Sequence, residues 1–481
     1  MVMGDLASGC DVLVIGGGPG GYVAAIRAAQ LGKDVMIVDE KGERGLGGLC
    51  LNDGCIPSKA LIYASEIAGV LGKESEKFGI SVEGLKVDMG KMQEWKQGVV
   101  DKLNNGVKML CKRHGIAVVK GEAFFKSSGK VGVRTEKGIV SVEFGHAIIA
   151  TGSNHRPLEK LPFDGKQVVS STEALKFSEV PKELLVVGGG YIGLELGTVY
   201  AKLGSKVKIV THGSRVLRGV DRDLVEVVLK RLDEIGVEVL FDTAVEGKSE
   251  EGERLKVKLR QKEGKVVEVD ADKVLIAIGH SPNTKELGLD KTNVKMDEKG
   301  YIKVDERMRT ADHKIYAVGD AVGAPLLAHK ASRQGVVAAE AICGMKTTYH
   351  NRAVPAVVFT DPEVASVGIS EEEAKEQGKD FKVGKFPFRA LGRALTRNKT
   401  EGFVKIVAEK DSGLVLGIHI VGSEAGELIS EGALAVELGA VLEDLAATIH
   451  PHPTLSEALS EAADATLGKA IHIFQPKIKP K

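Results

Sequence analysis

The stretch DVLVIGGGPGGYVAAIRAAQLGKDVMIVDE, residues 11–40, passes from an apolar run through a glycine turn into an amphipathic segment, then into a second apolar run closed by acid. That order predicts strand, helix, strand, the unit that binds a dinucleotide. Gly16 makes the turn, Gly18 lets backbone approach a pyrophosphate, and Gly21 lets helix and strand lie close. The helix start offers unsatisfied N–H groups to the anion. Asp39, ending the second strand, is positioned to bind an adenosine ribose through its hydroxyls. The glycine spacing alone occurs in ordinary turns, so the flanking strands, helix and acid carry the specificity.

The pattern returns at ELLVVGGGYIGLELGTVYAKLGSKVKIVTHGSRVLR, residues 183–218, where Gly188, Gly190 and Gly193 take the fingerprint positions. Two such units predict two dinucleotides held so that electrons pass between them, an oxidoreductase arrangement. The plainer alternative is that one copy is a packing relic. The second copy lacks the acid, since Thr211 and His212 follow its strand. A carboxylate there favours NAD and nearby basic groups favour NADP. With Arg215 and Arg218 close by, the sequence leaves NAD and NADP both open.

Working outward, 481 residues and 51.0 kDa are enough for two to four domains. Lysine and arginine total 66, as do aspartate and glutamate, which removes the simplest electrostatic case for a nucleic-acid or anionic-membrane partner. No apolar run approaches the roughly 20 residues of a spanning helix. The opening MVMGDLASG lacks a basic start and a long apolar core, so no secretion signal is expected and a cytoplasmic protein is. Glycine, at 59 residues, is the compositional outlier, pointing to tight turns and close backbone approaches.

Strand-to-glycine boundaries recur at AIIATGS (147–153), VLIAIGHSPNT (274–284) and KIYAVGDA (314–321). They place Gly152, Gly279 and Gly319 in turns, with Asp320 directly after the last. The expected borders divide the chain into units over 1–150, 151–280, 281–345 and 346–481, the last a mixed α/β domain. Charged loops such as EGKSEEGERLK (246–256) read as solvated hairpin edges.

Of five cysteines, Cys50 and Cys55 stand five apart in GLCLNDGCIPSK, residues 48–59. So few cysteines argue against a disulfide framework and permit one deliberate redox pair. On an ideal helix their Cα atoms would be roughly 8–9 Å apart, whereas a disulfide wants about 4.4–6.8 Å. The chain must therefore tighten between them, and Asn52, Asp53 and Gly54 permit a bend. Pro57 suits the first turn of a following helix, whose start would stabilise a thiolate at Cys55. A metal pair and two unconnected cysteines are the alternatives. Cys111 and Cys343 are isolated, so no metal is expected. Near the end, TIHPHPTLSEALSEAA carries His450, His452 and, five beyond the latter, Glu457. A histidine held by a carboxylate is fixed in tautomer and made more basic, as proton transfer requires. The alternative is a loop histidine and an acid that merely complements a helix start.

Taken together, these motifs resemble the pyridine nucleotide-disulfide oxidoreductases, and among them the dihydrolipoamide dehydrogenase branch, over nearly the whole chain and in the expected order. The resemblance implies an α/β fold with two Rossmann-like domains, for FAD and NAD(P), and a C-terminal α+β dimerisation domain. It implies a homodimer in which each subunit holds FAD, binds NAD and receives the proton-shuttling histidine from its partner. Gly16 to Gly21, Asp39 and Asp320 would bind FAD. Cys50 would attack substrate and Cys55 would face the flavin. Lys59 would lie beside flavin N5 with Glu195 as its carboxylate partner, and Tyr191 would cover the ring where nicotinamide enters. His452 and Glu457 would be the acid–base pair. The implied activity is oxidation of protein-bound dihydrolipoamide, carried by the lipoylated acyltransferase of a 2-oxoacid dehydrogenase complex or by a lipoyl carrier protein. The runner-up is NADPH-dependent reduction of a low-molecular-weight disulfide. Three departures stand out: Leu49 for a usual threonine, Asp53 for a usual apolar residue, and Thr211 for a usual glutamate. Asp53 is expected to add negative charge beside the cysteines.

Overall fold

The computed structural model describes residues 8–249, 255–262 and 264–476. Positions 1–7 of the opening segment, read above as free of a secretion signal, and positions 250–254 of the charged loop lie outside them. The first unit comprises β1 (Ser8–Ile15), α1 (Pro19–Gln30), β2 (Val35–Asp39), α2 (Gly48–Asp53), α3 (Cys55–Gly69), α4 (Met89–Arg113), β3 (Ala117–Lys120), β4 (Glu122–Ser127), β5 (Lys130–Thr135) and β6 (Gly138–Ile149). Its sheet runs β3-β2-β1-β6-β5-β4. β1 pairs parallel to both β2 and β6. Val12, Leu13 and Val14 are wholly buried, which is why this strand reads as an unbroken apolar run rather than an alternating one. α1 opens with Pro19 just after its Gly18 cap.

β7 (Ser153–His155) leads into the second unit: β8 (Val168–Val169), α5 (Ser171–Ala174), β9 (Glu183–Val187), α6 (Tyr191–Lys202), β10 (Lys206–Val210), α7 (Arg222–Glu234), β11 (Glu238–Leu240), β12 (Thr243–Ser249), β13 (Leu255–Gln261), β14 (Val266–Ala271) and β15 (Lys273–Ile276). Its parallel sheet is ordered β11-β10-β9-β15-β8, with β12, β13 and β14 as a separate antiparallel sheet. β16 (His280–Pro282) returns alongside β7, antiparallel, so both chain crossings between the units form one two-stranded ribbon. Next, β17 (Ile315–Ala317) joins the first sheet beside β6, and α8 (Ala328–Ile342) lies against α1. The helices meet closely because a Cβ on Gly335 would stand 2.4 Å from the Gly20 carbonyl oxygen.

The final unit contains β18 (Ala356–Val358), β19 (Glu363–Gly368), α9 (Glu371–Glu376), β20 (Phe381–Pro387), α10 (Gly392–Thr396), β21 (Phe403–Glu409), β22 (Val415–Gly422), α11 (Ala425–Leu438), α12 (Leu442–Ala447) and α13 (Glu457–Leu467). Its antiparallel sheet β18-β19-β22-β21-β20 is backed by α11 and α13. Leu434 and Leu438 on α11 are exposed, and so is Ile449 just before the histidines. Among the described residues no helix is long and apolar enough to cross a membrane.

Candidate active site

A cavity of about 880 Å³ runs through the first unit and reaches α6 of the second. Its lining begins at the glycine turn with Gly16 and Gly18, passes Asp39, and continues to Cys50, Cys55 and Lys59. Gly152, Gly319, Asp320, Tyr191 and Glu195 line it too. Residues scattered over some 300 positions thus share one space. Gly16 has φ +102°, and a Cβ there would lie 2.4 Å from the Ala150 carbonyl oxygen, so only glycine keeps this turn. Gly21 faces away from the cavity, where its Cβ would stand 1.9 Å from the Gly16 carbonyl oxygen, as expected of a helix-packing glycine. Asp39 accepts hydrogen bonds from the Gly17 and Lys41 N–H groups, both at 2.9 Å, so its carboxylate is already oriented.

The two cysteines meet because the helix breaks. α2 carries Cys50, Gly54 leaves helical geometry at φ −145° and ψ −106°, and α3 restarts at Cys55. The loop before α2 is held by Asn52, which donates to the carbonyls of Leu46 and Gly48, and by buried Asn104 of α4, which donates to Leu46 at 2.7 Å. Cys50 and Cys55 are unlinked and hydrogen-bond to each other. That bond lowers Cys55 from 9.0 to about 7, with further help from Lys59, against the opposing cost of burial. The same bond, together with burial, pushes Cys50 upward. Cys55, at the positive end of α3, is therefore the more acidic of the two thiols.

Lys59, one turn into α3, donates to Glu195 of α6 at 2.9 Å. The other Glu195 oxygen accepts the Phe359 N–H at 2.9 Å, and the Phe359 ring centroid lies 4.3 Å from the Lys59 ammonium. One buried carboxylate is thus shared by three units of the chain. Asp320, also lining the cavity, accepts from the Ser153 hydroxyl at 2.7 Å, and burial raises its carboxyl. Tyr191 stands first in α6; burial, reinforced by Glu195 and Asp320, pushes its phenol up to about 12, so it remains neutral.

The second turn, with Gly188, Gly190, Gly193 and Thr211, lies outside this cavity. Gly188 has φ +124° and Gly193 packs on its carbonyl, while nothing would meet a Cβ on Gly190 within 4 Å, so the helix start is open. Thr211 is buried and tied by backbone bonds to Leu240 and Thr243. Gly279 has φ +107° and accepts the Arg156 N–H at the ribbon joining the units. His452 Nδ1 and Glu457 are 2.8 Å apart, and the second Glu457 oxygen accepts the Thr454 N–H. Burial opposes ionisation of Glu457, but the Thr454 N–H and His452 outweigh it and hold the carboxyl below its ordinary range. His452 is exposed and does not line the cysteine cavity of its own chain.

Three features escaped the sequence reading. Asp53 is clamped between Lys176 at 2.6 Å and Lys41 at 2.9 Å, so the expected extra negative charge beside the cysteines is neutralised. His155 and His280, paired across the ribbon, meet at a 46° tilt with centroids 4.8 Å apart and line the cavity. Arg215, read as a candidate for nucleotide contact, is instead paired with Glu372. Lys176 and Glu372 lie far in sequence from Asp53 and Arg215, and His155 and His280 are 125 positions apart, so only the fold brings each set together.

The described residues fit FAD: one cavity of about 880 Å³ lined by an oriented acid, by a turn closed to any side chain but open to an anion, and by a cysteine–lysine cluster. Comparison with known proteins agrees. The family model for pyridine nucleotide-disulphide oxidoreductases matches residues 10–335, and the model for the dimerisation domain of these proteins matches residues 354–463. The chain is 48% identical to dihydrolipoyl dehydrogenase of Haloferax volcanii over 98% of this chain and 99% of that one. It is also 48% identical to dihydrolipoyl dehydrogenase of Geobacillus stearothermophilus, over 98% and 100%. Among solved structures, LpdA from Mycobacterium tuberculosis superposes with a TM-score of 0.86 at 28% identity, covering 94% of this chain and 99% of that one. The flavoprotein disulfide reductase RclA from Escherichia coli gives 0.84 at 27%, covering 94% and 99%. Matched by its family over both nucleotide units and the dimerisation domain, this chain belongs to the pyridine nucleotide-disulphide oxidoreductases.

Proposed function

We propose that this protein oxidises dihydrolipoamide to lipoamide through Cys50 and Cys55 and delivers the electrons to NAD+, with FAD as its bound cofactor. The observation that carries the reading is the Cys50–Cys55 pair, brought together by the helix break at Gly54, at the start of α3 and in one cavity with the Lys59–Glu195 pair. FAD, when bound, accepts two electrons from a dithiol and returns them as hydride. Gly16, Gly18 and the α1 start would hold its diphosphate, Asp39 the adenosine ribose, and Asp320 with Gly152 and Gly319 its polar chain. Gly188, Gly190, Gly193, Thr211 and Gly279 would frame the NAD site, with Tyr191 between the two.

In the oxidised protein a substrate thiolate attacks the sulfur of Cys50, forming a mixed disulfide and releasing Cys55 as a thiolate. The second substrate thiol then attacks the substrate sulfur bound to Cys50, closing the substrate disulfide and leaving both cysteines reduced. The proton from the attacking thiol goes to His452, oriented by Glu457. Because His452 does not reach the cysteine cavity of its own chain, it would come from a second copy. The exposed Leu434, Leu438 and Ile449 beside it suit burial in such a homodimer. The lipoyl group would be presented by an acyltransferase or carrier protein in the cytoplasm.

Reduction of a small disulfide with NADPH is not favoured, because the relatives named dihydrolipoyl dehydrogenase share 48% identity whereas the reductase structures share 26–27%. Side-by-side assays test the choice. Dihydrolipoamide with NAD+ should turn over rapidly and glutathione disulfide with NADPH slowly, and the reverse result overturns the reading. Cys55→Ser should abolish turnover and the long-wavelength absorbance of a thiolate against flavin; persistence of that absorbance would reassign the two cysteines.

A further inference from the structure

The loop after β10 holds two arginines beside a strand end that lacks an acid. Its backbone folds onto the second fingerprint, with the Leu217 N–H donating to the Gly189 carbonyl at 2.8 Å. Gly189 in turn borders Thr211, whose hydroxyl would lie 3.2 Å from a Cβ at that glycine. Arg218 is exposed and its guanidinium lies over Gly213, two residues beyond Thr211. No ion pair ties Arg218 down among the described residues.

Arg215 is held differently. One nitrogen donates to Glu372 at 2.9 Å and another to the Val220 carbonyl at 2.8 Å. Glu372 belongs to the dimerisation domain, in the first turn of α9. Its place is fixed from below: Asp221 accepts the N–H groups of Glu371 and Glu372 at 3.1 and 3.0 Å, and fully buried Lys405 of β21 pairs with Asp221 at 2.6 Å and with Asp223 at 2.9 Å. A carboxylate from another domain, on an anchored backbone and also accepting the Arg222 N–H at 3.4 Å, thus occupies one nitrogen of the Arg215 guanidinium.

A nucleotide 2′-phosphate is recognised by arginine near the end of the second strand, and two guanidinium groups bind it better than one. We propose that Glu372 is a specificity-determining residue for the nicotinamide cofactor: by holding Arg215 it withholds the second cation a 2′-phosphate requires, so NAD+ is preferred although Thr211 supplies no repelling charge. The inference rests on the nucleotide-dependent oxidation proposed above and assigns the discrimination against NADP+ to a domain outside the nucleotide fold.

The test is a double-mutant cycle in the holoenzyme. In Glu372→Gln the ratio of kcat/KM for NADP+ to that for NAD+, with dihydrolipoamide, should rise about three- to fivefold, the upper range for an exposed charge pair. In an Arg215→Ala background the same substitution should leave the ratio unchanged. The affinity for 2′,5′-ADP, measured by calorimetry, should rise in Glu372→Gln by the same factor and lose that gain when Arg215 is absent. An unmoved ratio and 2′,5′-ADP affinity in Glu372→Gln, or an equal gain without Arg215, overturns the inference. Loss of dithiol oxidation with both nucleotides would instead overturn the proposed function, while 2′,5′-ADP binding would still decide the role of Glu372.

Discussion

The two nucleotide units are alike at the turn and unlike at the strand end. In the first, the Gly16 N–H bonds to Val38 at 2.8 Å and Gly21 sits on the Gly16 carbonyl; in the second, the Gly188 N–H bonds to Val210 at 2.8 Å and Gly193 sits on the Gly188 carbonyl. In the first unit β2 ends in Asp39, wedged by two N–H groups, in a cavity also lined by the helix carrying Cys50. The second ends in Thr211, with Gly190 open. Turn geometry therefore states that a dinucleotide binds. The chemistry past the strand decides whether it is retained or exchanged.

The largest effect that could break this equivalence comes from the turns. Gly16→Val and Gly188→Val each force a branched side chain into positive φ and against backbone, at a cost of about 2–4 kcal/mol. Flavin absorbance per protein should fall in the first, whereas the second should keep its flavin and lose reduction by NADH. Equal flavin loss in both would erase the assignment of units.

Next is the strand end. Asp39→Ala orphans the Gly17 and Lys41 N–H groups and should weaken flavin retention by about 2 kcal/mol. Thr211→Ala should change the NAD+ KM by less than about threefold, a change worth under 0.7 kcal/mol.

A smaller effect distinguishes the first unit as the one with a titrating pair. Cys55 is lowered from 9.0 to about 7, so its contribution to stability of the reduced protein is full above 9.0 and is lost as pH falls through about 7. Thiolate absorbance should titrate near that pH, and Lys59→Met should shift the midpoint upward. A downward shift would remove Lys59 from the site's electrostatics. The smallest effect joins the units: Lys176→Met leaves Asp53 its Lys41 partner and should cost under about 1 kcal/mol in chemical denaturation.

Both nucleotide units were legible in the sequence because their turns demand glycine at fixed spacing and their strands are buried on both faces. The cysteine pair was legible as a problem, since five residues of helix hold two sulfurs too far apart, and the break at Gly54 is the physical answer. Lys59 and Glu195 were visible only through resemblance, being an ordinary lysine and an ordinary helical acid until 136 residues of separation collapse to 2.9 Å. Asp53 and Arg215 carried misleading signals, because a charge read alone says nothing of what neutralises it. Their partners Lys176 and Glu372 lie 123 and 157 positions away, beyond any local pattern.

Glu195 carries one more consequence. Its side chain is almost fully enclosed, with one oxygen given to Lys59 and the other to the Phe359 N–H. Removing either neighbouring region would strand a charge in a dry place. The repeated nucleotide unit looks like a part that evolution or an engineer could lift out and reuse, yet a swapped-in replacement would have to bring its own answer to that carboxylate, which makes this molecule poor stock for recombination.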